Sequence, residues 1–469
     1  MTPQDTLRQI LVTAGIDPVR ASGVSIAGSD PELPTRFLMG ISAAAALGAV
    51  GLAAADLWRL RGGEDQEINI DTVLGAAALR TSKYLRVADT EGDGGWEPIS
   101  GFYQGADDRW IQLHCQFPHF REGVLALLEC NNDREQVAKA ISAWQTPELE
   151  DTLAARGLPA FMVRSNAEWE MHPQNMAVAQ LPLLEIIKIG DAPPEPLPRS
   201  IKYGDRPLSG IRSLDLTRVI AGPVTGRTLA EHGAEVLRIS GPQLPFIEPL
   251  VIDTGHGKRA AEVDLRTTAG IEQLHSLIQG ADIFSQSYRP GSLAARGLSP
   301  SDLAAIRAGI VCVSLSAWSH VGPWADRRGF DSLVQCATGI ADEHGKDGQP
   351  LHLPGQALDY LSGYLGAFGA MVALARRARE GGSWLVRLSL AQTAHWLKSL
   401  GRVEGTEDPR DRVDPGIDAV AGFMMQSNTA WGQVHHLGPV LKMSITPPHW
   451  TQIVRPLGTD EPTWLTHRN

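Results

Sequence analysis

The sequence predicts an α/β protein in which a doubly wound, mostly parallel sheet is joined to a smaller α+β domain. Three observations carry this. Beyond residue 210 short apolar strands alternate with helical periods; before it, a hairpin is followed by two helical stretches; and one helix–turn–strand unit occurs twice. The 469 residues suffice for two or three domains. Hydrophobic residues at 43% and charged ones at 20% describe an ordinary globular composition.

Taken in order, residues 1–35 read as an N-terminal helical arm and 36–84 as the first copy of the repeated unit. Its helix, "FLMGISAAAALGAVGLAAADLW", is nearly uncharged over about the length that spans a bilayer. Rich in Ala and Gly, with Asp56 inside it, it is too weakly lipophilic for a span and reads as a buried helix. Gly62-Gly63 then supply a turn at the helix end, "INI" a strand, and a second apolar helix follows. The second copy, Gly363 to Leu397, repeats the plan with Gly381-Gly382 and "VRLSL".

Residues 85–200 form the small domain and a Pro-rich linker. "GWEPISGFYQGADDRWIQLHC" is a hairpin closed by "GADD", and "FREGVLALLECNN" and "REQVAKAISAWQ" are helical. "GDAPPEPLPRSIKYGDRPLSG" is extended. Residues 201–400 carry the alternation: "GIRSLDLTRVI", "AEVLRIS", "DIFSQSY" and "GIVCVSLSAW" as strands, "GRTLAEHGA" and "TAGIEQLHSLIQGA" as helices. Residues 401–469, with "TPPHW" and "EPTW", read as an irregular wrapping segment.

A net charge of −11 argues against a nucleic-acid partner, while leaving room for small anions at local Lys/Arg clusters. Cys115, Cys130, Cys312 and Cys336 show neither a CxxC pair nor zinc spacing, which suits reduced thiols in the cytoplasm. The first residues lack a signal-peptide pattern, and no membrane association is expected. No GxGxxG follows the first strand, so no nicotinamide or flavin is expected; His435-His436 lacks a third ligand, so no metal is.

One carboxylate stands apart. Asp359 heads the apolar run "LHLPGQALDYLSGYLGAFGAMVALARR". It reads either as a helix cap or as a reactive group at a cleft mouth, and the residues alone leave both open. Gly363, Gly366 and Gly369 strip one face of that helix, which suggests close approach of its backbone to a ligand.

Five stretches in order carry a resemblance: "LDLTRVIAGPVTGRTLAEHGAEVLRIS", "GKRAAEVDLRTTAG", "ADIFSQSYRPGSLAARGLS", "IVCVSLSAWSHVGPWADRRGFDSLVQCATG" and "LPGQALDYLSGYLGAFGAMVALARR". Over residues 210–400 the chain resembles the family III CoA-transferases (the CaiB/BaiF family), whose core is Rossmann-like. From Gly40 to Pro198 it resembles the later half of the same family, through "YQGADDRWIQL", so the order is rearranged or partly duplicated.

The resemblance implies an enzyme that moves CoA from an acyl-CoA to a small carboxylic acid. Asp359 would be its nucleophile, through an aspartyl anhydride and thioester. It implies a homodimer, interlocked in the family. It also implies contacts to CoA from Arg218, Val219, Ala221, Val263, Arg266, Ser287, Tyr288, Arg296, Arg328 and Phe330. The family's acidic-then-basic pattern after the second strand is replaced by "ISGPQ", which leaves Arg238 as the substitute cation.

A sister group, the α-methylacyl-CoA racemases, carries a histidine where this chain has Phe330. Phe carries no proton, so transfer is favoured over racemisation. A non-catalytic CoA-binding homologue is the third reading. The first copy of the repeat has no carboxylate in "RFLMGIS", so one chemical centre per chain is expected, in the second half. "TEGDGGWEP", with Gly92, Gly94 and Gly95, is the candidate for the family's shielding loop.

Overall fold

The computed structural model describes residues 1–88, 90–91, 95–197, 204–405 and 407–465. Alternating apolar residues in the second half build a seven-stranded sheet. Its strands are β1 (Glu185–Gly190), β2 (Arg212–Leu216), β3 (Glu235–Ser240), β4 (Lys258–Glu262), β5 (Ile283–Gln286), β6 (Val311–Ser316) and β7 (Ser383–Ser389). The spatial order is β4-β3-β2-β5-β6-β7-β1. All pairs are parallel except β7 with β1. Successive residues point to opposite faces. Val236, Ile283, Val311 and Val386 join the larger core, and Leu237, Phe284, Cys312 and Leu385 join the one on the other side. Both faces are covered, as a parallel sheet requires.

Two expectations change here. β1 lies within the stretch assigned to the small domain and linker; "EIIKIG" is one edge of the large sheet and not part of the smaller unit. The arm at residues 1–35 is helical over Pro3–Thr13 and Pro18–Gly23, but Val24–Ala27 is a strand.

The helix Ala357–Glu380 packs through its glycines. A Cβ at Gly363 would stand 2.6 Å from Val224, one at Gly366 2.7 Å from Thr225 Oγ1, and one at Gly369 2.5 Å from Val386. The Thr225 hydroxyl also donates to the Gly363 carbonyl at 3.0 Å. The bare face therefore receives the helix Ala221–Glu231 and β7, and not a ligand as the sequence suggested. Close packing of protein against protein uses small residues in the same way.

The repeat persists in space. Val24–Ala27 and Ile68–Asp71 run parallel beside the helix Met39–Leu60, as β6 and β7 do beside Ala357–Glu380. A Cβ at Gly51 would meet Ile68 at 2.7 Å, matching Gly369 against Val386. Gly62, Gly381 and Gly382 all take positive φ, the turn conformation read from the sequence. Both long apolar helices are buried within the protein.

The small domain sets the hairpin Gly101–Gln104/Trp110–Leu113 and the strand Ala160–Met162 under the helices Pro118–Leu128, Arg134–Ile141 and Thr146–Ala155. The tail is less irregular than expected. Met424–Thr429 and Gly432–Leu437 form a hairpin that pairs with Arg86–Val87, and Lys442–Met443 pairs with Ile68–Asn69. These strands are mixed in polarity, and their partners come from the first half, so no local pattern announces them.

Candidate active site

Asp359 is the third residue of its helix and 8% exposed. Its backbone N–H donates to the Asp331 carboxylate at 2.9 Å, and Asp331 in turn accepts from Gln335. Gln335 also accepts the Leu353 N–H at 2.8 Å, so one side-chain chain fixes where the helix begins. Burial raises the carboxyl group of Asp359 well above the ordinary range, and the neighbouring Asp331 adds to it. Burial raises Asp331 as well.

The next turn ties this helix to the first half. Thr81 Oγ1 donates to Asp253 at 2.7 Å, Tyr360 Oη donates to the same carboxylate at 3.1 Å, and the Ser82 N–H donates to the tyrosine oxygen at 3.2 Å. Tyr364 Oη donates to the Ala78 carbonyl at 2.8 Å. Arg80 reaches Asp414 and the Pro415 carbonyl.

Two chambers meet at Asp359. The first, about 320 Å³, lies between the halves of the chain. Lys83, Trp96, His114 and Gln116 line it from the first half; Ile247, Leu250, Ser332 and Gln356 line it from the second. The second chamber, about 390 Å³, lies over the carboxyl ends of β2, β5 and β6. Strand order reverses between β2 and β5, and open α/β sheets bind ligands in that crevice. Arg218, Arg289 and Arg328 converge on it, with Phe117, Phe120, Ser287 and Tyr288.

Burial lowers the Arg328 guanidinium, and the charges of Arg289 and Arg218 lower it further. Like charges held together inside a cleft suit a multiply charged anion. The Arg328 Nε is buried without a partner among the described residues, and its guanidinium lies 5.2 Å from the Phe120 ring centre. Val219 lines both chambers at φ 71°, a strained conformation for a β-branched residue. Phe330 also borders both, stacked on His114 with centroids 3.7 Å apart.

A family model described as CoA-transferase family III matches residues 208–461, more than half of the chain. The chain belongs to CoA-transferase family III. An acyl-CoA transferase of Gibberella moniliformis is 29% identical over 432 residues, 82% of this chain and 74% of that protein. A probable fatty acyl-CoA transferase of Mycobacterium tuberculosis is 27% identical over 274 residues, 54% of this chain and 69% of that one. A succinyl-CoA:glutarate CoA-transferase of Mus musculus is 32% identical over 190 residues, 38% of this chain and 43% of that one. A crystal structure titled as a hypothetical protein of Mycobacterium tuberculosis is 30% identical, with a TM-score of 0.40. The match spans 42% of this chain and 57% of that solved chain.

Of the residues singled out in the sequence, Arg218, Val219, Ala221, Ser287, Tyr288, Arg328, Phe330 and Asp359 come together around the second chamber. Arg238 sits beside it, lining a small recess with Arg218 and Phe117; two of its nitrogens are buried without partners among the described residues. Val263, Arg266 and Arg296 line neither chamber. Val263 is packed into the core, Arg266 is held by Asp264 at 2.7 Å, and Arg296 donates to the Leu265 carbonyl at 2.7 Å.

Gly92 and Gly94 of the candidate shielding loop lie outside the described residues, while Gly95 and Trp96 border the first chamber. The sequence reading missed Lys83, His114, Arg289 and Asp331. Arg289 stood in plain view in "SYRPG". Asp331 stood next to Phe330, whereas Lys83 and His114 become site residues only when distant segments meet.

Proposed function

We propose that the protein transfers CoA from an acyl-CoA thioester to a free carboxylic acid, with Asp359 as the covalent carrier. One observation carries the reading: among the described residues Asp359 is the ionisable side chain common to both chambers. The arginine-lined chamber suits the diphosphate of CoA, held by Arg218, Arg289 and Arg328 with Arg238 behind them. The pantetheine arm then passes Val219 and Ala221 towards Asp359. The first chamber, with polar His114, Gln116 and Ser332 among apolar Trp96, Ile247 and Leu250, suits the carboxylic acids.

The ionised Asp359 oxygen adds to the thioester carbonyl carbon, whose π pair moves onto oxygen; collapse expels the CoA thiolate and leaves an acyl-aspartyl anhydride. The thiolate attacks the aspartyl carbonyl, releasing the first acid and forming the aspartyl thioester. The acceptor carboxylate attacks that thioester, breaking its C–S bond and expelling the CoA thiolate to give a new aspartyl anhydride. The thiolate finally takes the new acyl group and frees Asp359. Racemisation needs a proton carrier on each face, and Phe330 borders both chambers without one.

The lining of the first chamber by both halves of one chain supports halves that complement each other within a single chain. The free thiols of the four cysteines suit a cytoplasmic setting.

The test is trapping. During turnover of an acyl-CoA with a labelled acid, hydroxylamine should place a hydroxamate on the Asp359 peptide, and label should appear in a new thioester. Label transfer without any adduct at Asp359 would refute the carrier role.

A further inference from the structure

Phe330 fills the place of the racemases' histidine, and another histidine, His114, packs against it. His114 follows the strand Trp110–Leu113 of the small domain, where its backbone N–H donates to the Pro159 carbonyl at 3.1 Å. Its ring lies flat on Phe330, 3.7 Å centroid to centroid with 3° between planes, and edge-on to Trp96 at 5.8 Å. It lines the chamber that Asp359 lines; its Nδ1 is shut away from that space without a partner among the described residues, which leaves Nε2 as the ring nitrogen open to the chamber.

Resting on the transfer reading above, we infer that His114 is a catalytic hydrogen-bond donor that holds the carbonyl oxygen as Asp359 attacks. In this role an N–H on Nε2 would meet the oxygen that takes the π pair when the aspartate adds. The bond strengthens as negative charge grows, and it relaxes when the carbonyl re-forms and the thiolate leaves. No proton changes hands. Burial pushes the imidazole down to about 3, so the ring stays neutral and keeps one N–H throughout the working range. A neutral donor also avoids an ion pair with Asp359 that would quench the nucleophile. The small domain thus supplies the electrophilic half of the centre and the sheet domain the nucleophilic half.

The experiment uses the full chain with acetyl-CoA, succinyl-CoA and longer acyl-CoAs as donors and short mono- and dicarboxylic acids as acceptors. His114→Phe keeps the stack on Phe330 and removes the donor; His114→Gln keeps a neutral N–H. The Phe variant should lose about a hundredfold in kcat, the size of one oxyanion donor, with KM for acyl-CoA within about twofold. The Gln variant should stay within about tenfold of the native kcat, with a parallel pH profile between 5 and 8.

A Phe variant within about threefold of native kcat overturns the inference, as does a Gln variant as impaired as Phe. A pH limb near 6.5 that vanishes in the Gln variant overturns the neutral role, and so does loss of substrate α-deuterium that depends on His114. Should the Phe variant not fold, His114→Ala replaces it: rescue of kcat by added imidazole supports the donor, and no rescue overturns it. Asp359→Asn run in parallel separates the two levels, since CoA exchange at native rate in that variant overturns the transfer reading itself, whatever His114 does.

Discussion

The helices Met39–Leu60 and Ala357–Glu380 begin alike and diverge in chemistry. In each, a carboxylate from a preceding segment accepts the N–H of the helix's third residue: Asp30 accepts from Ile41 at 2.8 Å and Asp331 from Asp359 at 2.9 Å. Asp30 also takes the Gly40 N–H at 2.9 Å. Each helix then buries a glycine against the strand that follows it. The third residue is a buried apolar Ile41 in one and a carboxylate opening on two chambers in the other. A capped, small-residue helix is therefore a structural device that serves packing on its own. In the proposed transfer, reactivity comes from one side chain and from the space left in front of it.

Four substitutions sharpen or break that comparison. The largest effect belongs to Asp359→Asn, which keeps the shape and the cap while removing the nucleophile. It should cost at least a thousandfold in kcat, with CoA affinity by calorimetry within a few fold. A native rate would place the chemistry elsewhere.

Ile41→Asp builds the corresponding carboxylate into the first helix. Position 41 is buried and Asp30 lies beside it, so the new charge lacks a partner, and the thermal midpoint should fall by several degrees. Hydroxylamine should find no adduct on that peptide. An adduct there would show that the first helix retains a latent centre.

The smallest effect compares the two capping carboxylates. Protonated Asp359 is no nucleophile, so activity rises with pH through its raised pKa. Asp331→Asn keeps an acceptor for the Asp359 N–H but removes the neighbouring negative charge. Asp359 then ionises at lower pH, and the acid limb of kcat/KM should move down by about half a unit to one unit. Asp30→Asn should leave that limb in place. A limb that moves up, or moves equally in both variants, contradicts the pairing.

Much of this was legible in the sequence. The alternation after residue 210 announced the parallel sheet, and Asp359 was marked by being the lone acid at the head of an apolar helix. β1 was hidden because its residues are only half buried and its partner β7 lies far along the chain. Arg266 reads as a free cation, but Asp264, two residues earlier, takes its charge. The conformation of Val219 is set by where β2 must release the chain, which no side-chain pattern encodes. His114 becomes part of the site only by resting on Phe330, a contact between the two halves.

The strand Glu185–Gly190 gives that last point a wider meaning. It leaves the small domain and completes the border of the large sheet by running against β7, which follows directly from the Asp359 helix. The unit that walls the first chamber is thereby hydrogen-bonded into the unit that carries Asp359, the proposed nucleophile. Exchanging the first for a relative's version, in order to change which acids are accepted, would also remove a margin of the second. Specificity and folding are inherited together in this chain, and engineering one means rebuilding the seam that joins them.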